Sequence, residues 1–406
     1  PPPLPPPPPL PLRPCLSYPL SPTIQDADTV IAFVSEWVND RTVQDMLVNF
    51  STIFGAVSGL YIMLTRKPGG ESLSWYSAMA CTRTTKRMTE TWWLAYAVFW
   101  VLCFGLIIGG GLYKWFDKHH YMIVCGGLAA PLLLQPFIAP GITGEANVPV
   151  WSRYSVKATV WIAIFSFIGN WWYTHYFYSV LKASYSMPAH DLNAVPLAMY
   201  FATHFYFTLY HALAAQALRG VRTLFVRNSA RFMFECSLVC AMAYSTAFTE
   251  SATISAYPCY SFADRHQAYT LGSAFYGIYF LVSYPLFATI DEPREQATPI
   301  ITITTGKASP TKASPAKGGK GGKGGKGKAG TKEEASTDID STDLDQEEST
   351  HTLYQVVWEA LGAGMAVLML LDIVRAALPL PLLVPMARPC KSDASLTCPP
   401  FDGQLC

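Results

Sequence analysis

The chain has 406 residues, 51% hydrophobic and 14% aromatic, with only 14% charged and a formal net charge of +1. An ordinary soluble domain carries about 25% charged residues, so this balance, with several long apolar runs, excludes that class and predicts an all-α polytopic transmembrane bundle. The near-zero charge excludes the basic field that nucleic-acid binding needs, and ten cysteines with no CxxC pair exclude a zinc ribbon or redox pair.

The start, PPPLPPPPPLPLRP, is a polyproline stretch that cannot pack a core. It lacks the basic-then-apolar order of an ordinary signal peptide. Val30 to Val48 is mildly amphipathic. Leu47 to Leu64 is a borderline span with Asn49, hydroxyl residues and two glycines, and reads first as an interfacial or targeting helix. A basic patch follows at Arg83, Lys86 and Arg87.

About seven stronger spans come next, eight if Leu47–Leu64 also crosses. They run from about Thr91 to Leu112, Tyr121 to Ala139, Val156 to Leu181, Ala194 to Leu218, Phe232 to Tyr257, Ala268 to Ile290 and Tyr354 to Leu378. Each meets the ~20 apolar residues a bilayer requires. The expected organisation is a proline-rich extension over 1–90, six spans over 91–292, a linker over 293–350, the last span over 351–380 and a Pro/Cys tail over 381–406. The linker holds GGKGGKGGKGKAG and then the acidic TKEEASTDIDSTDLDQEEST, which bury too little apolar surface to offset ordering entropy. Its basic block suits anionic lipid; a solvated linker is the plainer account. Cys390, Cys398 and Cys406 in the tail suit pairing in an oxidising lumen, or stay as free thiols.

Lys and Arg in short loops set orientation. Arg219, Arg222, Arg227 and Arg231 mark the loop between the fourth and fifth spans as cytosolic. Alternation places Arg153, Lys157, the patch before the first span and the linker on that side too, with Lys114 and Lys118 opposite.

Polar side chains inside spans are costly and mark function by default. The third span carries Asn170, Thr174 and His175; the fourth carries Thr203, His204, Tyr206, Tyr210 and His211. Glu250 lies in the fifth with no cation within a turn, so its partner must come from another helix. Glu250 and the three histidines His175, His204 and His211 form the candidate acid–base set. Interhelical hydrogen bonding is the bland alternative for each. Asp372 and Arg375 are spaced to pair with each other, and Glu359 reads as solvated. None of the eight histidines falls in an HxxxH or HxxHH box, so a metal site is not expected. Trp161, Trp171, Trp172, Tyr206 and Tyr210 belong to an aromatic crowd on the third and fourth spans. Such faces stabilise cations, and they also serve plain packing.

RYSVKATVW, FSFIGNWWYTHYF, VLKASY, THFYF and LYHALA resemble the cycloeucalenol cycloisomerases of plants and algae. So do ESATISAYPCYSFADR, FYGIYFLVSYP, Asp291-Glu292, and ALGAGM followed by LLDIVR. The resemblance covers about Thr91 to Leu380 without the linker. The proline-rich start, the Gly/Lys insertion and the cysteine tail depart from it. It implies an isomerase of endoplasmic-reticulum membranes that opens the cyclopropane ring of cycloeucalenol to give obtusifoliol, with no redox cofactor. The reaction protonates the bridge methylene, forms a tertiary cation and loses a neighbouring ring proton. That demand matches the residue set: Glu250, or a histidine bonded to it, as acid, and His175, His204 and His211 as base or relay. Asn170, Trp171, Trp172, Tyr206 and Tyr210 would line the sterol, and Asp264 and Arg265 would order a loop or hold the sterol hydroxyl. The expected partners are the sterol and the bilayer. A non-catalytic sterol-binding or transport protein and a sterol double-bond isomerase are the rival readings.

Overall fold

The computed structural model describes residues 41–68, 73–180, 183–255, 257, 259–262, 265–292 and 351–377. The polyproline start, the linker, the tail cysteines and Asp264 lie outside them.

The described chain is helical, as a lipid solvent demands of a backbone with no other partners. α1 spans Arg41–Ile62, α2 Trp75–Met79, α3 Thr84–Gly109 and α4 Lys118–Ile138. α5 spans Tyr154–Ile168 and passes through a π-helical turn, Gly169–Tyr173, into α6, Thr174–Val180. α7 is Leu197–Leu224 and α8 Ser229–Ser255. α9, Arg265–Gln267, passes through a second π-helical turn, Ala268–Gly272, into α10, Ser273–Phe287, and α11 is Leu353–Ala377. Strand pairs are minimal: β1 (Ser184–Tyr185) pairs antiparallel with β4 (Tyr260–Ser261), and β2 (Asp191–Leu192) with β3 (Val195–Pro196).

Among the described residues, six helices are long and apolar enough to cross a membrane: Thr42–Ile62, Thr84–Gly109, Lys118–Ile138, Ser229–Ile254, Ala268–Phe287 and Leu353–Ala377. The first of these is the borderline segment, which begins earlier than the sequence suggested and qualifies by length and apolarity. The predicted third span is not one α-helix, because a π turn interrupts it. α7 has the length, at 28 residues, but its histidines and tyrosines dilute its apolarity. It also runs a full turn and more beyond the predicted Leu218.

α7 is the central element. It packs against α2, α3, α4, α5, α8 and α10, while α10 lies along α8 and α11 along α5. Small residues permit the close approach typical of helices in lipid. Gly364 is the clearest case: a Cβ there would stand 2.9 Å from the Ile168 side chain, and the Tyr173 hydroxyl donates to the Gly364 carbonyl. Local signals set the helix starts. Asp117 caps α4, its Oδ1 accepting from the His119 and His120 amides at 2.8 and 2.9 Å. Pro131 and Pro136 lie within α4. Near its end the Pro136 carbonyl accepts from Arg153 Nη1 at 2.7 Å, which satisfies a terminal acceptor.

One end of the bundle is tied by a buried ionic network. The Arg219 guanidinium forks onto the Glu90 carboxylate at 2.7 and 2.8 Å and reaches Glu292 Oε1 at 2.6 Å and the Met79 carbonyl at 2.8 Å. Lys86 donates to Glu292 Oε2 and the Ile290 carbonyl, both at 2.6 Å. Lys157 bonds Asp291, whose φ of 47° places it in the left-handed region. The Asp291 amide donates to His351 Nδ1, and the His351 amide returns to Asp291 Oδ1, each at 3.1 Å. The two residues flanking the long insertion thus clasp each other. Arg222 and Arg231 both pair with Glu235. Three of the four arginines read as a loop signal therefore have partners inside the protein.

Candidate functional site

Two adjoining chambers lie in the half of the bundle away from the ionic network. The larger has a volume of about 400 Å³ and is mostly apolar. α3 supplies Trp100, Phe104 and Gly105, α4 supplies Tyr121 and Cys125, and α7 supplies Ala202, Tyr206 and Tyr210. Thr249, Thr253 and Ile254 of α8 complete the wall. The volume falls in the ~300–1,000 Å³ range of small-molecule sites. The smaller chamber, about 70 Å³, is lined by Asn170, Thr174, Thr203, Glu250, Ser251 and Tyr276 among others. Tyr185, Met199, Ile254 and Tyr260 line both. The short strands place two of these four: Tyr185 and Tyr260 face each other across the β1–β4 pair, with ring centroids 4.7 Å apart.

Glu250 sits near the end of α8, and its partner comes from another helix. Oε2 accepts from the Tyr276 hydroxyl of α10 at 2.8 Å. Among the described residues the acid group is therefore held by a tyrosine of α10 and not by a histidine of α7. The π turns explain the placement. A π turn shifts the register of the helix beyond it and often marks a functional site. Gly169 and Asn170 of the first turn line the small chamber, and the second immediately precedes the helix that carries Tyr276 and Tyr279.

α7 divides its own candidates. At about 100° per residue, Ala202, Tyr206 and Tyr210 fall on one face, and all three line the large chamber. His204 and His211 fall on the opposite side and line neither chamber. His211 is fully buried, its Nδ1 2.7 Å from the Phe207 carbonyl and its Nε2 2.9 Å from the Ser283 hydroxyl. The rings of Trp161, Phe165, Tyr284 and Phe287 surround it. His204 is also buried, and neither ring nitrogen has a hydrogen-bond partner among the described residues. His175 lies on α6; its side chain is outside what is described.

The substrate-lining candidates divide as well. Asn170 lines the small chamber and donates to the Ser166 carbonyl at 3.0 Å. Trp171 stacks on Phe167, and Trp172 is 45% exposed; neither lines a chamber. Arg265 begins α9, its side chain not described. Much of the aromatic load is core packing: Trp161, Tyr173 and Phe205 are completely buried. The wall residues missed by sequence reading include Tyr276, Tyr185 and Tyr260. Tyr185 lies in VLKASY and Tyr260 in ESATISAYPCYSFADR, motifs in which no single residue stands out. Asp372 and Arg375 do pair, at 3.8 Å. Among the described residues no cluster of three His, Cys, Asp or Glu is placed to hold a metal ion.

Comparison with known proteins bears on this site. A curated relative, the cycloeucalenol cycloisomerase of Arabidopsis thaliana, is 38% identical over 213 residues, which is 51% of this chain and 75% of that protein. The chain belongs to the cycloeucalenol cycloisomerase family. It is accordingly an isomerase, and its apolar helices make it a multi-pass membrane protein. No family model matches the chain, and no solved structure matches it.

Proposed function

We propose that the chain is a sterol isomerase that opens the cyclopropane ring of cycloeucalenol to give obtusifoliol, in endoplasmic-reticulum membranes. One observation carries the reading: a carboxyl held by the Tyr276 hydroxyl in a small chamber that shares wall residues with a large apolar one. Protonating a cyclopropane carbon needs a positioned acid and a site that excludes bulk water. The tetracyclic body suits the larger chamber, where Trp100, Tyr206 and Tyr210 present aromatic faces to a developing cation.

In this account Glu250 is the general acid. It gives a proton to the bridge methylene, and the strained carbon–carbon bond breaks toward that proton. The resulting ring-junction cation loses a neighbouring C–H proton, whose electron pair becomes the ring double bond. The Glu250 carboxylate left by the first step is the base nearest at hand, so the enzyme ends as it began. His204 and His211 serve the bundle between α5, α7 and α10, a role supported by their position behind the chambers. The network end faces the cytosol.

The test is turnover of cycloeucalenol in microsomes carrying Glu250→Gln. The substitution keeps shape and removes the acid, and a loss of ~10²–10⁴-fold is expected for a lost acid–base group. A stably folded Glu250→Gln protein with normal turnover would remove Glu250 from the acid role.

A further inference from the structure

A sterol is apolar except for the hydroxyl on its terminal ring, and burying that hydroxyl without a partner is costly. The large chamber is mostly apolar. Several of its polar groups already have partners: Tyr121 and Tyr257 bond each other, and the Thr253 hydroxyl donates to the carbonyls of Thr249 and Glu250 at 2.8 and 3.0 Å. The small chamber gathers Asn170, Thr174, Thr203, Glu250 and Ser251. Ser251 is set apart among them. A helical Ser or Thr hydroxyl can bond back to the carbonyl four residues earlier, as Thr203 does to Met199 at 2.8 Å. Ser251 lines the small chamber, is 5% exposed and has no hydrogen-bond partner among the described residues. Asn170, in the π turn after α5, is equally buried. Its amide N–H goes to the Ser166 carbonyl at 3.0 Å, which leaves its side-chain carbonyl available.

We propose that the small chamber is the subsite for the sterol hydroxyl, with the Ser251 hydroxyl donating to it and the Asn170 side-chain carbonyl accepting from it. This inference rests on a sterol occupying the site. The two chambers adjoin at Tyr185, Met199, Ile254 and Tyr260, which line both, so a sterol in the large one reaches the small one past these side chains. The sizes agree. The chamber of about 400 Å³ takes the tetracyclic body. The one of about 70 Å³ takes the hydroxyl and its ring edge, since a water-sized group needs only ~10–15 Å³ by this measure. Anchoring the hydroxyl also serves the chemistry. The cyclopropane is fused at the junction of the terminal ring with the next. A hydroxyl held at Ser251 draws that junction toward Glu250, the neighbouring residue of α8 and part of the same wall. In this reading the hydroxyl goes to Ser251 and Asn170 rather than to Asp264 and Arg265.

The experiment compares cycloeucalenol with the same sterol carrying hydrogen in place of the hydroxyl. Each competes with tritium-labelled cycloeucalenol for the purified full chain in micelles, unaltered and as Ser251→Ala. Substrate and product carry the same hydroxyl, so turnover during the assay does not blur the reading. The unaltered chain should bind cycloeucalenol about tenfold more tightly than the analogue, the effect of one or two net hydrogen bonds. Ser251→Ala should weaken cycloeucalenol at least about threefold and leave the analogue within about twofold, because the analogue has no hydroxyl for Ser251 to hold. An unchanged affinity for the analogue also shows that the pocket is intact. Equal losses for the two sterols, or an unaltered chain that does not distinguish them, overturns the subsite. Turnover of the unaltered chain in microsomes separates this result from the ring-opening reading. Hydroxyl-dependent binding without turnover keeps the subsite and sinks ring opening. Turnover without hydroxyl-dependent binding does the reverse, and binding of neither sterol overturns both.

Discussion

Arg219 offers the sharpest test of how the bundle is held. Its guanidinium is 5% exposed and, among the described residues, is the only hydrogen-bonding partner of the Glu90 carboxylate, itself 2% exposed. Arg219→Met removes the charge but keeps a long apolar stem. Glu292 would retain Lys86 at 2.6 Å, so the cost falls on Glu90. Removing one partner of a buried pair costs ~3–5 kcal/mol, because the other charge is left desolvated and unpaired. Replacing both partners with apolar residues is often neutral. The expected result is therefore asymmetric. Arg219→Met should lower unfolding free energy in detergent by ~3–5 kcal/mol. Arg219→Met with Glu90→Leu should recover most of that loss. The readout is reversible denaturant unfolding in micelles followed by tryptophan fluorescence. A single variant costing less than ~1 kcal/mol, the range of exposed pairs, would refute the reasoning, and so would a double variant no better than the single.

Three further outcomes follow from the geometry. Deleting residues 294–348 and joining the ends with a short Gly/Ser loop should leave turnover within twofold, since Asp291 and His351 clasp each other at its base; loss of activity in a folded deletion would give the insertion a role. Gly364→Val should separate α11 from α5, because even a Cβ meets Ile168 at 2.9 Å, and overpacking of this kind costs ~1–3 kcal/mol; an unchanged unfolding midpoint would contradict the packing. Burial opposes ionisation of Asp291, yet His351, Lys157 and Arg83 hold its carboxyl well below the usual range, and Lys86 and Arg219 lower Glu292 against its own burial. Groups lowered by folding stabilise above their unfolded values of ~3.9 and ~4.3 and lose that contribution as pH falls through the folded ones. The unfolding temperature should thus hold steady from pH 7 to about pH 5 and drop below about pH 4.

The bundle was legible because lipid leaves a backbone few options, and apolar length alone located most helices. Hydropathy does not see hydrogen-bond register, so the π turns at Gly169–Tyr173 and Ala268–Gly272 passed as ordinary helix. The first turn lends Gly169 and Asn170 to the small chamber, and the second precedes the helix that carries Tyr276 and Tyr279, which is why the site was only half read. Glu250 stood out because a lone carboxylate in a span is costly. Its partner did not, since Tyr276 looks like any other aromatic in a chain that is 14% aromatic. The histidines drew attention by type, but only three-dimensional packing reveals that His211 is enclosed by rings. The ionic network was read as a topology signal, because charge in a loop and charge buried at a helix end look alike in one dimension.

The measurement that bears most directly on the central claim is turnover in heavy water. Membranes carrying the full chain, from cells without sterol-forming enzymes of this kind, are given cycloeucalenol, and the products are analysed by mass spectrometry. The account predicts an isomer with one deuterium in the new angular methyl, supplied through Glu250. Unchanged sterol, with the Arabidopsis relative active alongside, would contradict it and leave binding or transport as the better reading.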